Sequence, residues 1–343
     1  MKFNNINIHI IIIILIIIIL IIIILIVVLC YIIKNKKCLR NKKCLRNANY
    51  ITLLKKRINS QNIVLDKHKQ FIFCSNNNYY LSKIVKNSVF LRHNKDYLIT
   101  NKKTLYITLK KYYPKNVHQI VPLTFIFPED YSNYHNYKKR NLNDKIIYKT
   151  LSHRQEGLFI SNNTLTKKFI ASEKFILGQI FLLDSLKYKD SKVSFRLYLI
   201  VSCVKGKFKS YYFNDGLVYY SLDNEIASFY DSDSFYKNDY PILISQFSKK
   251  TNKDIRSKMV DKMKMLSMAI KNDICVSDNN YYYELYGVDF HLTSNLDTYI
   301  LEVNAGPGMT PNNNTDKILR NNIFDSFISL INNNKINSNL VEI

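Results

Sequence analysis

Two acids and an amide come together at one point if residues Tyr286 to Asn304, YGVDFHLTSNLDTYILEVN, form a β-hairpin. Val288, Phe290 and Leu292 alternate with Gly287, Asp289 and His291; Tyr299, Leu301 and Val303 alternate with Ile300, Glu302 and Asn304. That is the strand period of two. With Asn295-Leu296 as the turn, Asp289 falls opposite Glu302 and Gly287 opposite Asn304. Two carboxylates facing each other across neighbouring strands repel. A divalent cation between them removes the repulsion, and Asn304 adds a neutral oxygen. Oxygen-only ligands suit Mg²⁺ held jointly with nucleotide phosphates. Alone, the hairpin reads equally well as a solvated face with two unremarkable acids, so the rest of the chain has to decide.

The elements around it sort into an anchor, a tether and a globular part. The chain has 343 residues, enough for a large core or two to three subdomains. Residues 1–33 are an N-terminal segment in which Ile10 to Ile33 is an uninterrupted uncharged run, almost all Ile, Leu and Val. At 1.5 Å per residue this run reaches roughly 36 Å, long enough to cross a bilayer core as a helix. It lacks the short apolar region and small-residue cleavage site of a signal peptide, which predicts an uncleaved transmembrane anchor over 10–33. The next segment, 34–75, opens with KNKKCLRNKKCLRN and is densely basic, whereas only Lys2 precedes the run. The positive-inside rule then predicts a single-pass membrane protein with residues 76–343 facing the cytoplasm. The basic segment could also lie on anionic headgroups.

The net charge is +24. Nucleic acid, anionic lipid, or an acidic protein or nucleotide could each answer it. No zinc-finger, recognition-helix or RNP-like pattern accompanies it, so no specific nucleic-acid partner is expected. The six cysteines have no CxxC spacing and no histidines at zinc distance. Reduced thiols in a cytosolic domain are therefore expected, with neither structural zinc nor a disulfide framework. No histidine has a triad partner and no GxSxG occurs, which argues against nucleophilic hydrolase chemistry.

Along the globular part, IVLDKHKQFIFC reads as a first strand after the tether. Leu105, Leu109 and Tyr112 recur at helical spacing in ITNKKTLYITLKKYYP, which Pro114 ends. VPLTFIFPED reads as a strand, and YSNYHNYKKRNLND as a loop or a linker into a second lobe. KIIYK is a short strand, followed by a loop and a strand in TLSHRQEGLFIS. ILGQIFLLDSL, FRLYLIVSCV and FKSYYFNDGLVYY are further strand-like runs, with Gly206 and Asn214-Asp215-Gly216 as turn signals. Residues 254–274 form the clearest soluble helix, with Ile255, Met259, Met263, Leu266 and Ile270 as its core stripe. TDKILRNNIFDSFISLINN is an amphipathic closing helix. The mixture predicts an α+β fold.

From about Leu91 to Asn312 the order of motifs resembles the tubulin tyrosine ligase-like family, which has the ATP-grasp fold. The pieces are TNKKTL with LKKYYP, LTFIFPED, IIYK with a loop ending in EGLFIS, GQIFLLDSL, FRLYLIVSC, YYFNDGLVYY, and ELYGVDFHL…YILEVNAGPGMTP. The resemblance implies two α+β lobes holding ATP between them, preceded here by the transmembrane helix. It implies that Lys102 lies near the phosphates and that Lys149 reaches them. Gly157 is the final glycine of the flexible loop, and Gln179 begins the hinge that holds the adenine. Arg196 matches the arginine of the family's Phe-Asp-x-Arg motif, which stabilises charge on the transferred phosphoryl group. Asp289, Glu302 and Asn304 match the magnesium ligands. Taken singly, Lys149 reads as a solvated strand-end lysine, Arg196 as a snorkelling or paired arginine, and Gly157 as a turn.

Several positions depart from the family pattern. Ser194 stands where Phe-Asp-x-Arg has its aspartate. Tyr219 stands where an arginine follows Asp-Gly-Leu-Val. Ile242 to Ser245 replace a His-Leu-Thr-Asn segment, and Ile180 replaces a lysine. They fall mainly where the family binds the incoming amino acid. The resemblance implies an ATP- and Mg²⁺-dependent ligase that joins a free amino acid to an acidic protein, tubulin by default, through an acyl phosphate; Arg196 and Glu302 are its catalytic residues. Tyrosination, glutamylation and glycylation are not resolved. A non-catalytic, membrane-tethered module that binds nucleotide or tubulin is the rival reading, and a basic protein that binds nucleic acid or lipid by charge alone is the third.

Overall fold

The computed structural model describes residues 95–343 apart from 152–156, 221–240, 276–280 and 334–335, together with isolated positions between 53 and 93. The expected anchor at 10–33 and most of the tether lie outside the described residues. Among the described residues, no helix is long and apolar enough to cross a membrane.

The strands are β1 (Phe71–Ile72), β2 (Val89–Phe90), β3 (Thr124–Ile126), β4 (Ile146–Lys149), β5 (Leu158–Ser161), β6 (Leu177–Ile180), β7 (Lys187–Tyr188), β8 (Ser191–Val204), β9 (Lys207–Phe213), β10 (Leu217–Tyr220), β11 (Ile242–Leu243), β12 (Tyr281–Leu292), β13 (Thr298–Ala305) and β14 (Leu340–Glu342). The helices are α1 (Tyr97–Thr100), α2 (Lys102–Tyr112), α3 (Tyr131–Arg140), α4 (Lys167–Ser172), α5 (Ile244–Thr251), α6 (Arg256–Ile274) and α7 (Asn314–Asn333). The fold is α+β, with two sheets in which all described pairings are antiparallel except those of β2.

The larger sheet is organised around β8 and β12, which pair from Phe195↔Phe290 to Val204↔Tyr281. Alternate residues of these strands enter different cores. On one face Phe195, Leu197 and Leu199 of β8 join Tyr286, Val288 and Phe290 of β12 against α2 and α6. Met259, Met263, Leu266 and Ile270 are the fully buried stripe of α6, as the sequence spacing predicted. On the other face Tyr198, Ile200, Tyr283 and Leu285 pack on Leu319, Ile323 and Phe327 of α7. That second layer stops at Tyr198. Beyond it the same face carries Arg196 and Ser194, both half-exposed.

The smaller sheet has the order β3-β6-β4-β5. Its core face holds Phe125, Phe127, Tyr134, Ile146, Tyr148 and Phe175. The hydroxyls of Tyr134 and Tyr148 are 2.7 Å apart within it. By the strand period, Thr124, Gln179 and Lys149 occupy the opposite face.

Two expectations are corrected. YSNYHNYKKRNLND is not a loop, since its first ten residues form α3. The helix lacks aliphatic residues, and Tyr134 supplies the buried face instead. Lys138 is also buried, donating to the carbonyls of Asn141, Leu142 and Asp144. The thiols are not all reduced. Cys203 and Cys275 form a disulfide, with Cα atoms 5.2 Å apart and a sequence separation of 72. Their spacing hides the pairing because the end of α6 is brought back against β8 only by the tertiary fold.

Candidate active site

Three strands place Arg196, Asp289 and Glu302 in one row. Asp289 on β12 is opposite Arg196 on β8 and opposite Glu302 on β13, and Gly287 is opposite Asn304. The facing of the two acids is the register read from sequence, but the route to it differs. The connection is a loop from Thr293 to Asp297, held by Thr293 N–H donating to Asp297 O and by Leu296 at φ 67°. The register then shifts between Asp289 and Phe290, and Phe290 pairs with Ile300. This bulge adds one residue on β13 and restores the pairing that a two-residue turn would have made.

The Arg196 guanidinium holds Asp289. Its Nε donates to Oδ1 and its Nη2 to Oδ2, both at 2.7 Å. A fork of this kind is among the stronger polar contacts in proteins. Asn304 Nδ2 donates to Asp289 Oδ2 at 3.0 Å. The Tyr219 ring lies 5.7 Å from the guanidinium carbon. Burial opposes the arginine's charge, but Asp289 and the Tyr219 and Tyr198 phenols outweigh it and raise its pKa well above the ordinary value. The repulsion between the facing acids is thus offset without a divalent cation: Arg196, from the neighbouring strand, already neutralises Asp289.

Lys149 and Gln179 meet on the smaller sheet. Lys149 Nζ donates to Gln179 Oε1 at 2.7 Å, and Gln179 Nε2 donates to Thr124 Oγ1 at 2.8 Å. Burial pulls the Lys149 ammonium down to about 8, against the attraction of Glu302 and with the repulsion of Lys102. Lys149 therefore shares one electrostatic environment with Glu302 of the larger sheet and with Lys102, the first residue of α2. Asn101 caps that helix by accepting from the backbone N–H groups of Lys103 and Thr104. Gly157 does not join the cluster. It ends the β4–β5 loop at φ 75°, where a Cβ would collide with the Thr150 hydroxyl at 2.1 Å.

Two supporting contacts were not read from the sequence. Asp316 and Arg320, both buried, form an i,i+4 ion pair on α7, and Arg320 Nη1 also donates to Gly308 O. Asp316 Oδ2 accepts from Asn312 N–H at 2.8 Å. The pair clamps the loop that leaves β13 after Ala305, and Pro307 of that loop sits so close to Gly287 that a Cβ there would meet it at 2.9 Å. The i,i+4 spacing was the available signal. Asp215 accepts from Ser245 N–H at 3.1 Å and from its hydroxyl at 2.6 Å, tying the Asp-Gly turn to the Ile242–Ser245 segment.

Asp289, Glu302 and Asn304 offer only oxygen ligands, and the amide oxygen of Asn304 is turned away from its own bond to Asp289. This donor chemistry fits Mg²⁺. Among the described residues no group of three or more His, Cys, Asp or Glu could hold a metal. Two carboxylates and an amide fit a cation that takes its remaining ligands from phosphates and water. A cavity of about 270 Å³ is lined by Asp144, Lys145, the Ile180–Asp184 segment and Thr293. It follows directly from β6 and does not contain Lys149 or the carboxylates.

The family model of the tubulin-tyrosine ligase family matches residues 81–224 and 220–338. A human protein described as "Probable tubulin polyglutamylase TTLL2" is 25% identical over 258 residues, which cover 65% of this chain. The chain spans 42% of that relative's length. With three quarters of its length inside the family model, and with the order of motifs carried through both sheets, the chain belongs to the tubulin-tyrosine ligase family.

Proposed function

We propose that this protein is an ATP- and Mg²⁺-dependent ligase that joins a free amino acid to an acidic protein such as tubulin, and that its two sheets are the lobes of an ATP-grasp fold. The observation that carries this reading is the row Arg196–Asp289–Glu302, electrostatically coupled to Lys149 on the other sheet. Phosphoryl transfer asks for positioned charge more than for covalent help. Asp289, Glu302 and Asn304 would hold Mg²⁺, which when bound offsets negative charge on the phosphate oxygens. Lys149 and Lys102 bind phosphate, and Gln179 orients Lys149. Arg196 stabilises charge on the phosphoryl group as an acceptor carboxylate is converted to an acyl phosphate. The amino acid's amine then displaces phosphate and forms the amide. The relative's printed description favours glutamate as the added amino acid. The apolar run at 10–33 would hold the enzyme on a membrane, with the ligase part facing the cytoplasm.

The test is incubation of the full chain with ATP, tubulin and radiolabelled Glu, Gly or Tyr. Transfer of one label, abolished by Glu302→Gln, is the expected result. If no label transfers and Glu302→Gln leaves ATP turnover unchanged, the reading is wrong. One observation favours the non-catalytic alternative: the neutral pair Ser194 and Tyr219 beside Arg196. A thermal shift with Mg-ATP and no turnover with any amino acid would support that reading.

A further inference from the structure

The Cys203–Cys275 disulfide stands out against a cytoplasmic placement. Small thiols keep cytosolic cysteines reduced, and the disulfides found there are mainly transient, catalytic or redox-sensing. The two sulfurs differ in access. Cys203, near the end of β8 remote from Arg196, is fully buried, whereas Cys275, which ends α6, is half-buried. The bond spans a sequence separation of 72 and fixes the last turn of α6 to β8. The same half of α6 is where α2 docks. The Tyr112 hydroxyl donates to Asp273 Oδ2 at 3.0 Å, and the Tyr113 hydroxyl donates to Met265 O at 3.1 Å.

A buried histidine without a partner lies beside the bond. His93 is 1% exposed, and neither of its ring nitrogens makes a hydrogen bond. The ring stacks on Tyr282 with centroids 5.7 Å apart, and Tyr282 is paired with Cys203 between β12 and β8. It also lies against the backbone of Val201 and of Ile274, the residue before Cys275. Burial lowers its pKa to about 4, so the imidazole is neutral and carries one N–H. Glu284 holds the segment in place: its Oε2 accepts from the backbone N–H of His93 at 2.8 Å and from the Tyr286 hydroxyl at 2.7 Å. A buried N–H with no acceptor is costly. A disulfide sulfur is a poor acceptor, and a thiolate is a good one. The partner that His93 lacks is created when the disulfide opens.

We propose that the Cys203–Cys275 bond is a reversible thiol switch that locks the end of α6, and that His93 is the positioning residue that favours its opening. The reductant is a low-molecular-weight thiol. Its thiolate attacks Cys275 Sγ, the accessible sulfur. A bond forms to Cys275, the bond to Cys203 breaks, and the electron pair leaves on Cys203 Sγ, which accepts from the His93 N–H and then takes up a proton. A second small thiol attacks the mixed disulfide and releases Cys275, which is protonated in turn. The protein gains two electrons and two protons, and two small thiols become one disulfide. Of the ligase reading, the switch uses only the cytoplasmic placement.

The test equilibrates the full chain with glutathione at a reducing, cytosol-like ratio and at an oxidising one, and traps free thiols by alkylation. Mass spectrometry reads Cys203 and Cys275 apart from Cys30, Cys38, Cys44 and Cys74. Both thiols should be free at the first ratio and bonded at the second. His93→Phe keeps a ring against Tyr282 but has no N–H. It should shift the midpoint about tenfold toward the closed form, and His93→Gln, which keeps a donor, should restore it. On opening, amide hydrogen exchange should quicken in the last turn of α6 and at Tyr112 and Tyr113. Cys203→Ser with Cys275→Ser should show the same fast exchange even at the oxidising ratio. A bond closed at both ratios, or open at both, overturns the switch, and so does exchange that ignores the state of the bond. A midpoint that His93→Phe leaves unmoved overturns the role of His93. None of these readouts depends on label transfer, so failure of the ligase reading leaves them intact.

Discussion

Ser194 lies directly opposite Tyr219 across the β8–β10 pair. These are the positions where the family pattern has an aspartate and an arginine, so two departures 25 residues apart in sequence are one contact in space. A neutral pair here stands where that pattern has one charge of each sign, so the local charge stays balanced. The Tyr219 ring then covers the Arg196 guanidinium. Either charged residue restored alone would sit next to Arg196 without its counterpart. Ser194→Asp would compete with Asp289 for the guanidinium, and Tyr219→Arg would face a like charge. Each single change should cost about 1 kcal/mol, and the double change should recover most of it, a coupling of about 1–2 kcal/mol. A double-mutant cycle of urea unfolding measures it.

Arg196 stands between burial and the two acids. Arg196→Ala leaves Asp289 facing Glu302 with only Asn304 as a donor. The side chains of Arg196 and Asp289 keep about a fifth of their surface exposed (21% and 22%). The expected loss is therefore about 2 kcal/mol, below the 3–5 kcal/mol of a fully buried pair. With the guanidinium gone, millimolar Mg²⁺ should raise the melting temperature of the variant more than that of the parent. An equal response of the two proteins would count against a cation site at these acids.

Lys149 makes stability depend on pH in a defined direction. Its folded-state pKa is lowered, mainly by burial, from 10.5 to about 8. Between those values the unfolded chain binds more protons than the folded one. Stability from this group is therefore reduced below about pH 8 and is recovered as pH rises toward 10.5. Lys149→Met removes that dependence. Relative to the parent, the variant should be more stable at pH 7.5, and the difference should shrink by pH 10. Comparing the two proteins cancels the titration of the tyrosines. Nucleotide binding should be lost at both pH values.

Arg320 and Asp316 hold the loop after Asn304 from below. Arg320→Met leaves a carboxylate with no exposed surface facing a methyl thioether, and about 3–5 kcal/mol should be lost. Adding Asp316→Asn removes the orphaned charge and should restore much of that stability. It should not restore activity, because Gly308 O remains without its guanidinium donor. Chemical unfolding read beside label transfer distinguishes the two effects.

The hairpin, the core stripe of α6, the helix after Asn101 and the strands of the smaller sheet were legible in the sequence because their signals are local. Alternation, 3.6-residue spacing and turn residues act over a few positions. The register of Asp289 and Glu302 was legible for the same reason, although it is reached through a longer loop and a compensating bulge. α3 was not, since tyrosines in a polar segment bury a face only when a partner sheet is present to receive them.

By itself the amino-acid order determined the family and the α+β class, and it named the residues proposed to bind phosphate and cation. Only the tertiary structure decided which of them are partners. Arg196 meets Asp289 across 93 residues of chain, and Tyr219 meets Ser194, because their strands lie side by side in the sheet, and Cys203 meets Cys275 because the end of α6 returns to β8. Contacts between distant strands leave no periodic trace in a single chain. They are set when burial of both faces of β8 and β12 fixes the order of their neighbours.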